Sequence, residues 1–118
     1  MEKNMLINIL ADVVPKGKRA VCVFTKQNSY LNLRKDDVSK SGIWKVKKSK
    51  MIGIEMVVIY RRYSDRNEII IGDFIKMIYS KVPGRSYLLF RNYLKVGHTI
   101  NNWKVFAKTG SYPVKYFP

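Results

Sequence analysis

The 118-residue sequence predicts a single small α+β domain of about five mostly antiparallel strands and two or three short helices. Short segments rich in β-branched and aromatic residues are mixed with segments whose apolar residues recur at helical spacing. The helical segments are too few and too irregularly placed for a doubly wound parallel sheet. No internal repeat or linker divides the chain, so residues 1–118 are expected to form one domain.

The N-terminal half is predicted to contain one helix followed by strands. Residues 5–14 carry apolar side chains at helical spacing and precede Pro15 and Gly17, which end the helix. Residues 52–62 give the strongest strand signal, because residues 56–60 are apolar on both faces, as in a central strand. The segments predicted to be strands in this half are 20–25, 30–33, 43–47 and 52–62.

The C-terminal half is predicted to begin with a hairpin. Residues 64–67 are turn formers, so residues 68–71 are expected to pair with 52–62. Phe74, Met77 and Ile78 follow at helical spacing, which predicts a helix. Asp73 would cap this helix and Pro83-Gly84 would end it.

One more helix is expected between the last two strands. It would be capped by Thr99, bury Trp103 and end before Gly110. The flanking strands are predicted at residues 86–96 and 114–117, the second as an edge strand.

Charge is the most informative property of the composition. The chain has 23 Lys and Arg against 8 Asp and Glu, a formal net charge of +15. A compact domain with this charge repels itself, and a polyanionic partner is the simplest reason to tolerate the repulsion. We therefore favour a nucleic-acid-binding protein, for DNA or RNA, that contacts phosphates through Lys and Arg and stacks bases on Tyr and Trp. An anionic membrane surface and an acidic protein partner are the alternatives.

Residues 85–96 are the first candidate binding segment. In a regular strand one face would carry apolar residues, with Asn92 as the exception, and the other would interleave cations with aromatic rings. The residues expected on this second face are Arg85, Tyr87, Leu89, Arg91, Tyr93 and Lys95. The alternative is a solvated strand face with ordinary cross-strand tyrosine packing.

Two further clusters complete the predicted nucleic-acid-binding set. The densest basic run flanks Trp44 and contributes Lys45, Lys47, Lys48 and Lys50. Lysines of this kind suit phosphate contact rather than base recognition, and the alternative is a solvated loop. The hairpin turn is bracketed by Arg61, Arg62 and Arg66, whose guanidinium groups could form bidentate hydrogen bonds with phosphate or guanine. The alternative is that Asp65 and Glu68 pair with these arginines.

The sequence favours a binding protein over an enzyme, and no catalytic residue, metal site or cofactor is assigned. Cys22 is the only cysteine and His98 the only histidine, and no phosphate-binding glycine motif is present. Cys22 lies in an apolar strand and is expected to be a buried, inert thiol. A small metal-independent ribonuclease or toxin stays open as an alternative, with His98 as general acid or base.

Several broader properties follow from the same residues. One cysteine permits no internal disulfide, which suits a reducing compartment, and no run approaches a spanning helix or a signal peptide. A cytoplasmic protein without membrane insertion is expected, of undetermined oligomeric state. Three functions are consistent with these properties: a nucleic-acid-binding domain, a small ribonuclease, and a charge-driven binder or inhibitor of an acidic protein.

Overall fold

The computed structural model describes residues 5–26, 30–63 and 66–118, which form mostly β structure. The strands are β1 (Met5–Leu6), β2 (Ala20–Lys26), β3 (Leu31–Asn32), β4 (Ser39–Trp44), β5 (Met56–Arg62), β6 (Asn67–Tyr79), β7 (Ser86–Thr99) and β8 (Val114–Phe117). One α-helix, α1 (Trp103–Ala107), and two 3₁₀ turns, Leu10–Asp12 and Lys48–Met51, complete the described structure. The Cα radius of gyration is 13.0 Å, as expected for a compact chain of this length.

All eight strands belong to one mixed sheet. Its order is β3-β4-β7-β6-β5-β2-β8, and β1 adds a parallel pairing to β7. β2 and β5 run parallel side by side, and the remaining neighbours are antiparallel. β2 and β5 therefore end at the same edge of the sheet, at Lys26 and Arg62.

The predicted α+β class, with five strands and two or three helices, is wrong. The predicted helix at 5–14 is the short strand β1 and a 3₁₀ turn, and the predicted helix after Asp73 is the second half of β6. The last helix is real but is shorter than predicted. Asn102, rather than Thr99, caps it by accepting a hydrogen bond from the Val105 amide at 3.0 Å.

Two hydrophobic cores lie on opposite faces of the sheet, and β5 contributes to both. Val57, Val58 and Ile59 are fully buried, which confirms the prediction of a central strand that is apolar on both faces. The core on one face, the outer core, is covered by the N-terminal segment and α1. Its residues are Ile7, Leu10, Val14, Ala20, Cys22, Met56, Val58, Tyr60, Ile69, Val96, Trp103, Phe106 and Ala107. The core on the other face, the inner core, consists of Val21, Val23, Trp44, Met51, Ile54, Val57, Ile59, Ile70, Leu88, Phe90 and Val114.

The sheet curls around the inner core. In the strand order β4 and β8 lie toward opposite edges of the sheet, yet Trp44 of β4 and Val114 of β8 both pack in this core. Two hydrogen bonds join the same regions: the Lys47 amide donates to the Tyr116 hydroxyl at 2.9 Å, and the Tyr112 hydroxyl donates to the Lys45 carbonyl at 2.8 Å. The curl places the last residues of β2 and β5 and the first residues of β6 along one rim of the molecule.

Within the described residues, α1 and the two 3₁₀ turns are far too short to span a bilayer.

Candidate nucleic-acid interface

β7 does not present one continuous basic face. Asn92 has a left-handed backbone with φ of 57°, and its side-chain amide donates to the Asp73 carboxylate at 2.8 Å. The pairing of β6 with β7 shifts register at this point, as in a β-bulge. As a result Leu88 and Phe90 pack in the inner core whereas Val96 packs in the outer core. The predicted alternation across 85–96 therefore breaks at Asn92.

The predicted residues before the bulge lie on the face of the sheet opposite the inner core. The Arg85 guanidinium donates to the Ile43 carbonyl at 3.2 Å. The Tyr87 ring packs where a side chain on Gly42 would lie, and the Lys40 ammonium sits 4.5 Å from its centroid. Arg91 is exposed.

The predicted β7 residues after the bulge face the opposite side. Tyr93 packs against the inner core. The Lys95 ammonium lies 4.0 Å from the Glu68 carboxylate. Tyr93 and Lys95 thus do not share a face with Tyr87 and Arg91.

Two of the four predicted lysines, Lys47 and Lys50, line a separate groove beside β8, whereas Lys45 and Lys48 are not part of its lining. Lys45, Lys47, Lys48 and Lys50 are all exposed. The Lys50 ammonium lies 5.5 Å from the Tyr116 ring centroid. The groove has a volume of about 550 Å³, and its lining residues are Lys47, Lys50, Tyr112, Val114, Lys115 and Tyr116.

The three predicted arginines of the β5–β6 hairpin also do not share one face of the sheet. Arg61 is buried, and its guanidinium lies 3.4 Å from the Glu68 carboxylate. Successive strand residues face opposite sides of a sheet, so Arg62 emerges on the face of the outer core. Arg62 and Arg66 are exposed and line the same cleft. The part of the turn that holds Asp65 lies outside the described residues.

This cleft, the aromatic cleft, opens at the rim where β2 and β5 end. It has a volume of about 610 Å³. Its described lining combines cations, aromatic rings and small polar groups and contains no carboxylate. The lining residues are Phe24, Tyr60, Arg62, Tyr63, Arg66, Asn67, Ile100, Asn102, Trp103, Lys104 and Ser111.

Aromatic rings build the base of the cleft. Phe24 stacks on Trp103 with 5.6 Å between centroids and 16° between planes. Tyr60 meets both rings edge to face, at 5.4 and 5.6 Å. The indole nitrogen of Trp103 donates to the Tyr112 carbonyl at 2.9 Å, which fixes the ring. Trp103 is thus a buried core anchor whose edge reaches the cleft, whereas Trp44 belongs to the inner core on the other face.

Tyr63 supplies a ring at the side of the cleft. The Arg61 guanidinium lies 5.1 Å from its centroid, a cation–π contact. Because Arg61 is also held by Glu68 at 3.4 Å, this contact restrains the tyrosine. The cleft therefore has a ring in a fixed position beside the exposed cations Arg62 and Arg66.

Charge is unevenly distributed along β5. The strand begins beside Glu55 and pairs there with Asp73, so two carboxylates lie at its start. It ends at Arg62, next to the cleft that also holds Arg66 and Lys104. Glu68 lies at this end too, paired with Arg61, but the described lining of the cleft itself contains no carboxylate, so an anion that enters it meets cations.

Burial changes the ionisation of two groups in the outer core. It raises the pKa of the Tyr60 phenol to about 12, against a smaller opposing effect of the Arg62 charge. Burial also raises the pKa of the Cys22 thiol. Cys22 is fully buried, and a buried neutral thiol is a poor nucleophile. No group of three or more His, Cys, Asp or Glu side chains able to hold a metal ion occurs among the described residues.

Replacing Tyr60 with phenylalanine should reduce the alkaline destabilisation of the fold. The phenol has a higher pKa in the folded chain than its usual 10, so its contribution is complete below pH 10 and is lost as pH rises from 10 to 12. At neutral pH, Tyr60→Phe should cost about 1 kcal/mol, because the hydroxyl donates to the Asn101 carbonyl at 2.7 Å. Urea unfolding at pH 7, 10 and 11.5 would measure both effects. The exposed Tyr30 provides the matched control, and an equal response of Tyr30→Phe would contradict the prediction.

Comparison of the chain with family models, with curated proteins and with solved structures found no match.

Sequence reasoning named Arg62 and Arg66 but missed most of the cleft that surrounds them. Phe24, Tyr63 and Lys104 come from β2, the hairpin turn and α1. These residues are distant in sequence, and only the parallel pairing of β2 with β5 and the packing of α1 bring them together. One local signal was available, since Tyr63 directly follows the Arg61-Arg62 pair.

Proposed function

We propose that the protein binds single-stranded nucleic acid in the aromatic cleft. The observation that carries this proposal is a cleft of about 610 Å³ with three cations, no carboxylate in its described lining and aromatic rings at its base. Guanidinium and ammonium groups neutralise phosphates, and aromatic faces stack on bases. Few ligands other than nucleic acid present both groups in repeated alternation.

A single strand fits this arrangement better than a duplex. Bases in a duplex are stacked on each other and cannot reach a ring inside a cleft, whereas unpaired bases can splay onto it. Tyr63 and the half-buried Phe24 are the rings placed to receive a base. Arg62, Arg66 and Lys104 are exposed around them, within reach of the phosphates on either side.

Removing the cations of the cleft should weaken binding of a single-stranded oligodeoxynucleotide. We expect the double variant Arg62→Ala and Lys104→Ala to lose at least about tenfold in affinity, because two phosphate contacts disappear. Tyr63→Ala should cost roughly 1–3 kcal/mol through lost stacking. Fluorescence anisotropy with a labelled twelve-base strand at fixed salt would measure both losses.

A charge-matched control separates the cleft from general attraction. Lys35 and Lys81 are exposed and lie away from the cleft lining. The double variant Lys35→Ala and Lys81→Ala removes the same net charge. If it weakens binding as much as the cleft variant, the attraction is non-specific and the cleft is not the site. Tighter binding to polyglutamate than to the oligonucleotide would instead favour the acidic-protein hypothesis.

A further inference from the structure

A row of polar side chains crosses four neighbouring strands at the same rim of the sheet. In the strand register Thr25 pairs with Arg61, Arg61 with Glu68, and Glu68 with His98. Residues paired across adjacent strands have their side chains on the same face. This polar row, defined as Thr25, Arg61, Glu68 and His98, therefore lies on one face of the sheet, the face of the inner core.

Ionic contacts hold the centre of the polar row. The Glu68 carboxylate lies 3.4 Å from the Arg61 guanidinium through one oxygen and 4.0 Å from the Lys95 ammonium through the other. The side chains of Arg61, Glu68 and Lys95 are 10, 20 and 32% exposed. The carboxylate is thus fixed between two cations and partly open to solvent.

The two ends of the polar row hold polar atoms that no described residue satisfies. The Thr25 hydroxyl and the His98 Nδ1 are buried without a hydrogen-bond partner among the described residues. Such atoms are rare in folded proteins, because a buried polar group without a partner destabilises the fold. Both atoms flank the ion cluster, so polar groups with unused hydrogen-bonding capacity are concentrated in this row.

The polar row and the aromatic cleft lie on opposite faces of the sheet and meet at the rim where β5 ends. Arg61 connects the two, since its guanidinium contacts both Glu68 and the ring of Tyr63, which lines the cleft. Asn67 of the cleft directly precedes Glu68. A strand that lies in the cleft and passes over the end of the β5–β6 pair would bring a phosphate to Arg61 and Lys95.

We propose that the polar row cleaves single-stranded RNA by metal-independent transesterification. This inference rests on the proposed function, since the cleft is what would hold the strand. General acid and base groups together with cations at the phosphate are the elements that the reaction needs. Glu68, His98, Arg61 and Lys95 provide them at one place.

The step needs no co-reactant. Glu68, as carboxylate, takes the proton of a ribose 2′-hydroxyl while the 2′-oxygen forms a bond to the adjacent phosphorus. The bond from phosphorus to the 5′-oxygen breaks with its electron pair, and the His98 imidazole, acting as general acid through Nε2 because its Nδ1 is buried, gives that oxygen a proton. Arg61 and Lys95 stabilise the negative charge on the phosphoryl oxygens. The products are a 2′,3′-cyclic phosphate and a 5′-hydroxyl, and proton exchange with solvent restores both groups.

Cleavage of a labelled twelve-base RNA in the presence of EDTA tests this inference. The wild-type chain should cut the RNA and leave cyclic phosphate ends, identified by mass spectrometry. His98→Gln and Glu68→Gln should each slow cleavage by roughly 10²- to 10⁴-fold, the usual contribution of a general acid or base. Lys81→Ala, remote from the polar row, should cut at the wild-type rate.

The substrate provides a control that does not depend on folding of the variants. RNA carrying 2′-O-methyl groups lacks the nucleophile and should bind to the wild-type chain without being cut, as should DNA. Cleavage of either strand, cleavage that EDTA abolishes, or an unchanged rate in His98→Gln would each overturn the inference. DNA binding at the cleft without RNA cleavage would refute the catalytic row and leave the proposed function standing. Absence of binding to both strands would refute the proposed function itself.

Discussion

Replacing Phe106 with alanine should lower the free energy of unfolding by about 3–5 kcal/mol, the usual cost of removing a buried aromatic ring. Phe106 is fully buried and lies in the outer core on α1. Its ring meets Tyr60 at 5.4 Å between centroids. α1 has only five residues, too few to be stable alone, so the packing of Phe106 and Trp103 holds the helix on the sheet.

A neighbour on the same helix gives the control. Val105 is 51% exposed, and Val105→Ala removes apolar atoms from the same short helix without opening a cavity. Its effect should stay within about 0.5 kcal/mol, as for most surface substitutions. Urea unfolding followed by tryptophan fluorescence would measure both variants. Equal losses for the two would mean that α1 is not docked through Phe106.

The loss of α1 should also damage the aromatic cleft. Trp103 and Lys104 reach the cleft from this helix, and the Trp103 ring stacks on Phe24. A partly detached helix would therefore remove one cation and part of the base of the cleft. Stability and binding are coupled at this end of the molecule because the same residues serve both.

The strand β5 was predictable as a central strand because its signal is local. Residues 56–60 are apolar without interruption and rich in β-branched side chains, a pattern typical of a short strand buried on both faces. The parallel partner of β5 was not predictable. β2 and β5 pair across almost thirty intervening residues, and nothing in either segment distinguishes a parallel from an antiparallel neighbour.

The wrong helix after Asp73 has a specific physical cause. Phe74 and Met77 are three residues apart, a helical spacing, and both pack against the inner core. In a regular strand they would face opposite sides. The register shifts between Phe74 and Lys76, so one extra residue of β6 restores them to the same face. A bulged strand can thus imitate helical periodicity over one turn.

The sequence showed that the chain has an excess of cations, but it did not show on which faces of the sheet those cations lie. The excess of cations indicated a polyanion, yet alternation places Arg61 and Arg62 on different faces of β5. Asn92 interrupted the apolar face of the predicted strand, and this interruption marks the bulge that divides β7. A polar residue that breaks an otherwise regular face is therefore evidence for a change of face.

Salt should weaken the binding of single-stranded DNA by about 20-fold between 50 and 200 mM if three phosphates are contacted, and by about 100-fold if five are. The first number corresponds to the aromatic cleft alone, with Arg62, Arg66 and Lys104. The second adds Arg61 and Lys95 beside the polar row. Each contact to a single strand contributes about 0.7 to the slope of log affinity against log salt concentration.

The slope of log affinity against log salt concentration therefore reports how many phosphates the protein contacts. Anisotropy titrations at four salt concentrations would give it for the wild-type chain and for Arg62→Ala, whose slope should be smaller by about 0.7. Lys35→Ala should leave the slope unchanged, because this exposed lysine lies outside both sites. A slope near zero would exclude phosphate contacts altogether. A slope that falls equally for Arg62→Ala and Lys35→Ala would mean that the strand follows the net charge of +15 rather than the cleft.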